Sequence, residues 1–250
     1  WISDNSSALS TYGEINTWDT SLITDMNQLF ENCQTFNDDI GNWDVSNVTN
    51  FNTMFGTARA FNQDLNDWTL NTSANISCSN MFFSASDFNG NISSWNTSRV
   101  TNISGMFRFA SDFNQDISGW DVSGTTSWAY LFQNGSFNQN ISGWNASNVT
   151  SFLQMFKENT SFNQDISSWN TGNVTQFYQM FNGATALSNS NKCAIHTAFS
   201  SNGNWTENWS SLCPATSCTI SGTSGFRMMS SPASGQIYGD LLDELWTRGM

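Results

Sequence analysis

Residues Phe113–Gly124 read FNQDISGWDVSG, and near-copies of the first eight letters return as FNQDLNDW (61–68), FNQNISGW (137–144) and FNQDISSW (162–169). A reaction centre seldom needs a phrase repeated. A stacked architecture does, because each turn must offer the same face to its neighbours.

Tryptophan serves as the ruler: Trp18, Trp43, Trp68, Trp95, Trp120, Trp144 and Trp169 stand at spacings of 25, 25, 27, 25, 24 and 25. Three residues before each lies a branched aliphatic, Ile15, Ile40, Leu65, Ile92, Ile117, Ile141 or Ile166. Seven before the Trp come Phe36, Phe61, Phe88, Phe113, Phe137 and Phe162, each followed by Asn, and the first turn lacks this pair as a terminal turn should. After the Trp, Ile23, Val48, Val100, Val149 and Val174 fill the fifth position. Leu29, Met54, Met106, Leu131, Met155 and Met180 fill the eleventh, each with a Phe behind it. Turn three carries two extra residues between Trp68 and Met81, and turn five loses one between Phe132 and Phe137; both changes fall between anchor columns, where a loop absorbs them.

One turn of about 25 residues cannot bury its own apolar face, but identical faces stacked on one another form a continuous core. The expected fold is therefore a leucine-rich-repeat-like solenoid with short parallel strands and one short helical turn per repeat, capped at both ends. Alternation and β-branching assign the DISGW-type and VT segments to strands. Apolar residues three and four apart in 26–30, 103–107 and 177–181 predict the helical turn. At about 4.8 Å per strand, seven turns make a rod on the order of 34 Å long, with the Asn column as a side-chain ladder.

The expected organisation is an N-terminal cap over 1–17, with Trp1 and Ile2 laid on the first turn, the solenoid over 18–187, a C-terminal cap over 188–218, and the start of a further module over 219–250. The cap contains a helical-looking CAIHTAF (193–199) bracketed by Cys193 and Cys213, which are expected to form a disulfide. Cys33 shares a column with Ala58, Ala85, Ala110 and Ala184, so it reads as a core thiol.

The formal charge is −13, yet charged residues make up only 11% of the chain, against roughly 25% in an average soluble protein. Between residues 18 and 187 the basic residues are Arg59, Arg99, Arg108 and Lys157, too few to form a phosphate-neutralising stripe, which argues against nucleic acid. No run of eighteen apolar residues and no charged-then-apolar leader is present, so the reading is a soluble mature chain or a piece of a longer one, without membrane insertion. An Asn/Ser/Thr-rich, Lys-poor chain with clustered cysteines reads as secreted or on a cell surface.

The column pattern FNQDIS-W-DVSNVT-M-MF, over residues 12 to 187, resembles the BspA-like leucine-rich-repeat surface proteins, first described as an uncharacterised repeat domain of mycoplasma lipoproteins. The segments KCAIHTAFSSN and NWTENW are similar to what ends such arrays in secreted bacterial proteins, and the GFRMMSSP tail is similar to a module of long exported proteins of marine bacteria. The resemblance implies a solenoid used in adhesion or host contact, without enzymatic activity and without a transferable set of binding residues.

The remaining candidates are read against their plainer explanations. His196 has no Ser or Cys partner at triad spacing and reads as a structural residue of the cap. Stacked carboxylates at Asp39, Asp64, Asp116 and Asp165 would either face solvent or be bridged by Ca²⁺, the one cofactor considered; Asn at 91 and 140 dilutes that column. Fifteen N-x-S/T sequons occur, among them Asn47, Asn91, Asn102, Asn140, Asn148 and Asn173, which a eukaryotic cell could glycosylate. The Thr column 24, 49, 101, 150 and 175 suggests an ice- or crystal-binding array, ranked third. The leading expectation is a non-enzymatic adhesion protein binding a protein or glycan surface through exposed residues such as Arg108, Trp128 and Tyr130. The second is a self-assembling subunit of a filament, sheath or coat.

Overall fold

The computed structural model describes residues 5–214, and the chain through Cys213 forms one compact unit. The expectations for Trp1, Ile2, Cys218 and the module over 219–250 fall outside the described residues. Helix α1 (Asn5–Tyr12) is followed by a left-handed Gly13 and a short 3-10 segment, Ile15–Thr17. The repeats come next, and helix α2 (Asn189–Phe199) closes the unit with a 3-10 turn at Ser210–Leu212.

Successive turns are joined by parallel pairing at the residue following the VT dipeptide. Strands β1 (Ile76–Ser77) and β2 (Val100–Asn102) pair in parallel, and isolated parallel bridges link Asp25 to Asn50, Asn50 to Ser77, Ser127 to Ser151, and Ser151 to Gln176. The register shifts between Ile76 and Ser77, in the turn that carries the two extra residues. The ladder thus runs 25, 50, 77, 102 and again 127, 151, 176. Between those runs Thr125, wholly buried, stands where the other turns have Val or Ile.

Two expectations about local structure are corrected. The DISGW-type segment is a tight turn and not a strand: the Trp120 N–H donates to Ile117 O at 3.1 Å, and Trp43, Trp68, Trp144 and Trp169 repeat the bond to the aliphatic three residues back. The M-x-x-M-F segment is not helical. It is a run of β-turns in which every second N–H leaves the turn for the next repeat. In turn two, Phe51, Thr53, Phe55 and Thr57 donate to the carbonyls of Ser77, Ser79, Met81 and Phe83, while Met54, Gly56 and Ala58 donate three residues back.

This alternation requires left-handed backbone at two columns: Gln28, Thr53, Asn80, Gly105, Tyr130, Gln154 and Gln179 in one, and Asn32, Thr57, Ser84, Phe109, Asn134, Glu158 and Gly183 in the other. A β-turn of type II needs positive φ at its third residue, which explains the Asn and Gly scattered through both columns.

The core is a set of aromatic ladders. Phe30, Phe55, Phe82, Phe107, Phe132, Phe156 and Phe181 stack in order with centroids 5.3–5.9 Å apart. Within each turn the second Phe lies 3.7–4.0 Å from the first, as in Phe107–Phe113 and Phe55–Phe61. Each indole N–H reaches back one turn to the carbonyl of the aliphatic column, from Trp43 to Ile15 at 2.8 Å through Trp169 to Ile141 at 3.1 Å. That bond satisfies a buried donor and fixes Trp and Ile at a constant offset.

The polar half of the phrase is also structural. The side-chain oxygen of each Asn accepts the backbone N–H of the next turn's Asn, from Asn37 to Asn62 at 2.9 Å through Asn138 to Asn163 at 2.8 Å. Gln63, Gln115, Gln139 and Gln164 donate to the preceding turn's Asn carbonyl, which makes the Gln column part of the stack.

The two ends differ. At the last turn Phe199, Trp205 and Trp209 cover Phe177 and Phe181, and Cys193–Cys213 is bridged as expected. Ser188 caps α2, which begins four residues before the CAIHTAF segment. At the first turn Ile23 and Leu29 are exposed, in contrast to their buried column-mates, and Leu22 is 88% exposed. The carbonyls of Asp25, Asn27 and Leu29 occupy the ladder's acceptor row without a donor among the described residues. Cys33 is half-buried for the same reason, whereas Cys78, enclosed by apolar neighbours, has its thiol pushed up to about 12.

Candidate interaction surface

The non-glycine side chains of the left-handed columns are exposed or half-buried along the stack. Most occupants are small or polar, but Phe109 (φ 59°) and Tyr130 (φ 61°) are bulky aromatics in a conformation that disfavours them. Residue 108 belongs to the column between them: Phe83, Arg108, Gln133, Lys157 and Asn182 each follow the ladder Phe of their turn. The Arg108 guanidinium carbon lies 4.8 Å from the Tyr130 ring centroid, 5.1 Å from Phe109 and 5.7 Å from Phe83. Three rings therefore hold one cation, each contact contributing on the order of 0.5–1 kcal/mol at a partly exposed site. Phe109 remains 36% exposed, and the Arg108 Nε is buried without a hydrogen-bond partner among the described residues.

The structure brings Arg108 and Tyr130 together and removes Trp128 from the surface. Trp128 is fully buried, its indole donates to Thr125 Oγ1 at 2.6 Å, and it meets Trp144 and Trp169 edge-on at 5.3 and 5.0 Å. Trp128 stands in the core column of Phe51, Ile103 and Phe152, which places it inside whatever its type. Phe83 and Phe109 are the members of the patch that sequence reasoning missed. The available signal was an aromatic at 109 in a column otherwise made of Asn, Thr, Ser, Glu and Gly.

The other candidates have local occupations. Asp39, Asp116 and Asp165 accept the N–H two residues on, at 2.8–3.0 Å, and Asn91 and Asn140 accept the same bond. Asp64 instead accepts the N–H of Asn91 in the next turn at 2.7 Å. The shared turn explains how Asp and Asn exchange in that column. Asp19, Asp44 and Asp121 make the matching turn after the Trp. There the serine hydroxyl and then the serine N–H hold these carboxyls below the usual carboxylate range, and at Asp116 Ser118 does the same with its N–H leading. Among the described residues no three His, Cys, Asp or Glu side chains cluster as a metal site would require.

His196 accepts the Trp205 indole N–H at Nδ1, 3.1 Å away, inside the cap. The hydroxyls of Thr49, Thr101, Thr150 and Thr175 bond carbonyls of the preceding turn and present no free row. The Nδ2 atoms of Asn47, Asn148 and Asn173 donate across turns to Ser21, Ser123 and Ser147, which ties these sequon nitrogens into the stack; Asn91, Asn102 and Asn140 use their oxygens locally. No helix among the described residues is long and apolar enough to cross a membrane.

The family model described as "Mycoplasma protein of unknown function, DUF285" matches three overlapping tandem stretches, residues 3–78, 69–136 and 126–206. The chain belongs to that family. No curated protein and no solved structure matches it.

Proposed function

We propose that this member of the mycoplasma repeat family is a BspA-like, leucine-rich-repeat-like solenoid, exported or held at a cell surface, that binds a protein or glycan without catalysing a reaction. The observation that carries the reading is the Arg108 patch. Three rings restrain the guanidinium, so little ordering entropy is left to lose on binding. Two of those rings sit on left-handed backbone that Asn or Gly would occupy at lower cost. Tyr and Arg are also the residue types that dominate binding hot spots.

The test is retention of the full chain on panels of immobilised glycans and extracellular proteins. Arg108→Ala and Tyr130→Ala are each expected to weaken the strongest interaction about tenfold or more, whereas Arg59→Ala, which removes an exposed cation elsewhere, leaves it unchanged. Equal binding by all four proteins would overturn the reading.

A second reading, a subunit of an extracellular filament or coat, is favoured by the first turn's carbonyls that have no donor among the described residues and by its exposed Leu22, Ile23 and Leu29. The disulfide-closed cap at the opposite end argues against growth there.

A further inference from the structure

We propose that the column Arg108–Gln133–Lys157 is a binding track for an acidic polysaccharide lying along the stacking direction, with Tyr130 and Phe109 as its stacking platform. The proposal rests on the binding reading above and adds the chemical class of ligand.

The three residues occupy one column on consecutive turns. Their carbonyls accept the N–H groups of Ser84, Phe109 and Asn134, each at 2.8 Å, which fixes them in register. Two turns at about 4.8 Å each put Arg108 and Lys157 about 10 Å apart. That is too far for one carboxylate to meet both, so a ligand using both must be extended and carry charge at intervals. A chain of sugars with an acid group on every second ring has that spacing. Its flat faces suit the exposed Phe109 and half-buried Tyr130 rings, and its equatorial acid groups suit a guanidinium whose own face is already stacked.

The few cations are concentrated here. Only four Lys or Arg occur between residues 18 and 187, and two of them fall in this column. Arg99 is committed, its Nε donating to Thr72 O at 3.1 Å. Glu158, the nearest acid in sequence, has its carboxylate packed beside Gly183 one turn further on. Between the two cations Gln133 is 4% exposed; its Nε2 donates to Gln154, but its Oε1 has no partner among the described residues, nor has the Nε of Arg108. Both atoms are buried, so Gln133 forms the floor of the track and the two cations are its charged contacts.

The full chain would be titrated with a uronic-acid oligosaccharide several sugars long, with the same oligosaccharide after its carboxyls are reduced to alcohols, and with polyglutamate. Saturable binding of the acidic oligosaccharide is expected, weakening as salt is raised and falling about tenfold or more in Arg108→Ala. Lys157→Ala should fall several-fold, Arg108→Lys should behave closer to Arg108→Ala than to the parent, and Arg59→Ala should be unchanged. No binding of the acidic oligosaccharide, equal binding of its reduced form, tighter binding of polyglutamate, or indifference to Arg108→Ala would each overturn the proposal. Capture of a neutral glycan or a protein through Tyr130 and Phe109, alongside any of those outcomes, would leave the broader binding reading standing and remove only the acidic-polysaccharide track.

Discussion

Replacing Phe107 by alanine is expected to lower the unfolding free energy by about 3–5 kcal/mol, the usual cost of emptying a large aromatic site in a packed core. Phe107 is 1% exposed and touches rings on three turns: Phe82 at 5.7 Å, Phe132 at 5.9 Å, and Phe113 within its own turn at 3.7 Å. In a stack each turn is held mainly by its neighbours, so a void in the fourth turn weakens two interfaces at once. Urea unfolding followed by tryptophan fluorescence should show the midpoint moving well down. Leu29→Ala supplies the contrast. That residue begins the neighbouring column at the first turn, but it is 46% exposed, and its removal should cost within about 0.5 kcal/mol. Comparable losses for the two variants would mean that the ladders do not carry the stability.

Opening the Cys193–Cys213 disulfide is the second large effect. The bridge closes a loop of sequence separation 20, which in the chain-entropy model stabilises the fold by about 3 kcal/mol. The energy is localised, because the bridged segment lays Phe199, Trp205 and Trp209 over Phe177 and Phe181. Once the bridge is opened, the last turn is held by packing and by the Asn202 side chain, whose amide donates to Thr171 O and Val174 O at 2.7 and 2.9 Å. A melt with and without reductant, and of the paired Cys193→Ser and Cys213→Ser variant, should show a lower midpoint and an early phase belonging to the cap. An unchanged melt would show that the cap is held by its aromatic contacts alone.

The columns were legible in the sequence because burial repeats with the turn: Phe, Ile, Trp and Phe recur at fixed offsets, and every such position from Ile40 to Ile166 proved buried. The Asn ladder was legible for the same reason; the cap helix and its bridge were legible from the CAIHTAF segment and the cysteines that bracket it. The backbone between anchors was not. Apolar residues three and four apart fit one helical turn, and they fit equally a chain of β-turns whose alternate N–H groups go to a neighbour. Only the positive φ at residues such as Thr53, Thr57, Gln154 and Glu158 separates the two, and none of those residue types announces it. DISGW likewise alternates as a strand does, but its Trp folds back onto its Ile. At the surface, Arg108, Trp128 and Tyr130 were expected together as exposed positions; Arg108 and Tyr130 meet in one patch, whereas Trp128 belongs to an internal column. The rule the patch teaches is that an exception matters only in a column that faces outward.

Consecutive turns are joined by a one-directional row of backbone hydrogen bonds to which the left-handed columns contribute. Residue-resolved amide hydrogen exchange on the native protein tests it most directly. Thr57, Ser84, Phe109, Asn134 and Glu158 have half-exposed or exposed side chains, yet each N–H is donated to the next turn at 2.6–2.8 Å. These five amides should exchange slowly, with protection comparable to the buried Phe55 and Phe82 amides, while Gly183, at the end of the same column and without an acceptor among the described residues, exchanges fast. Uniformly rapid exchange along the column, with protection confined to helix α2, would contradict the stacked arrangement.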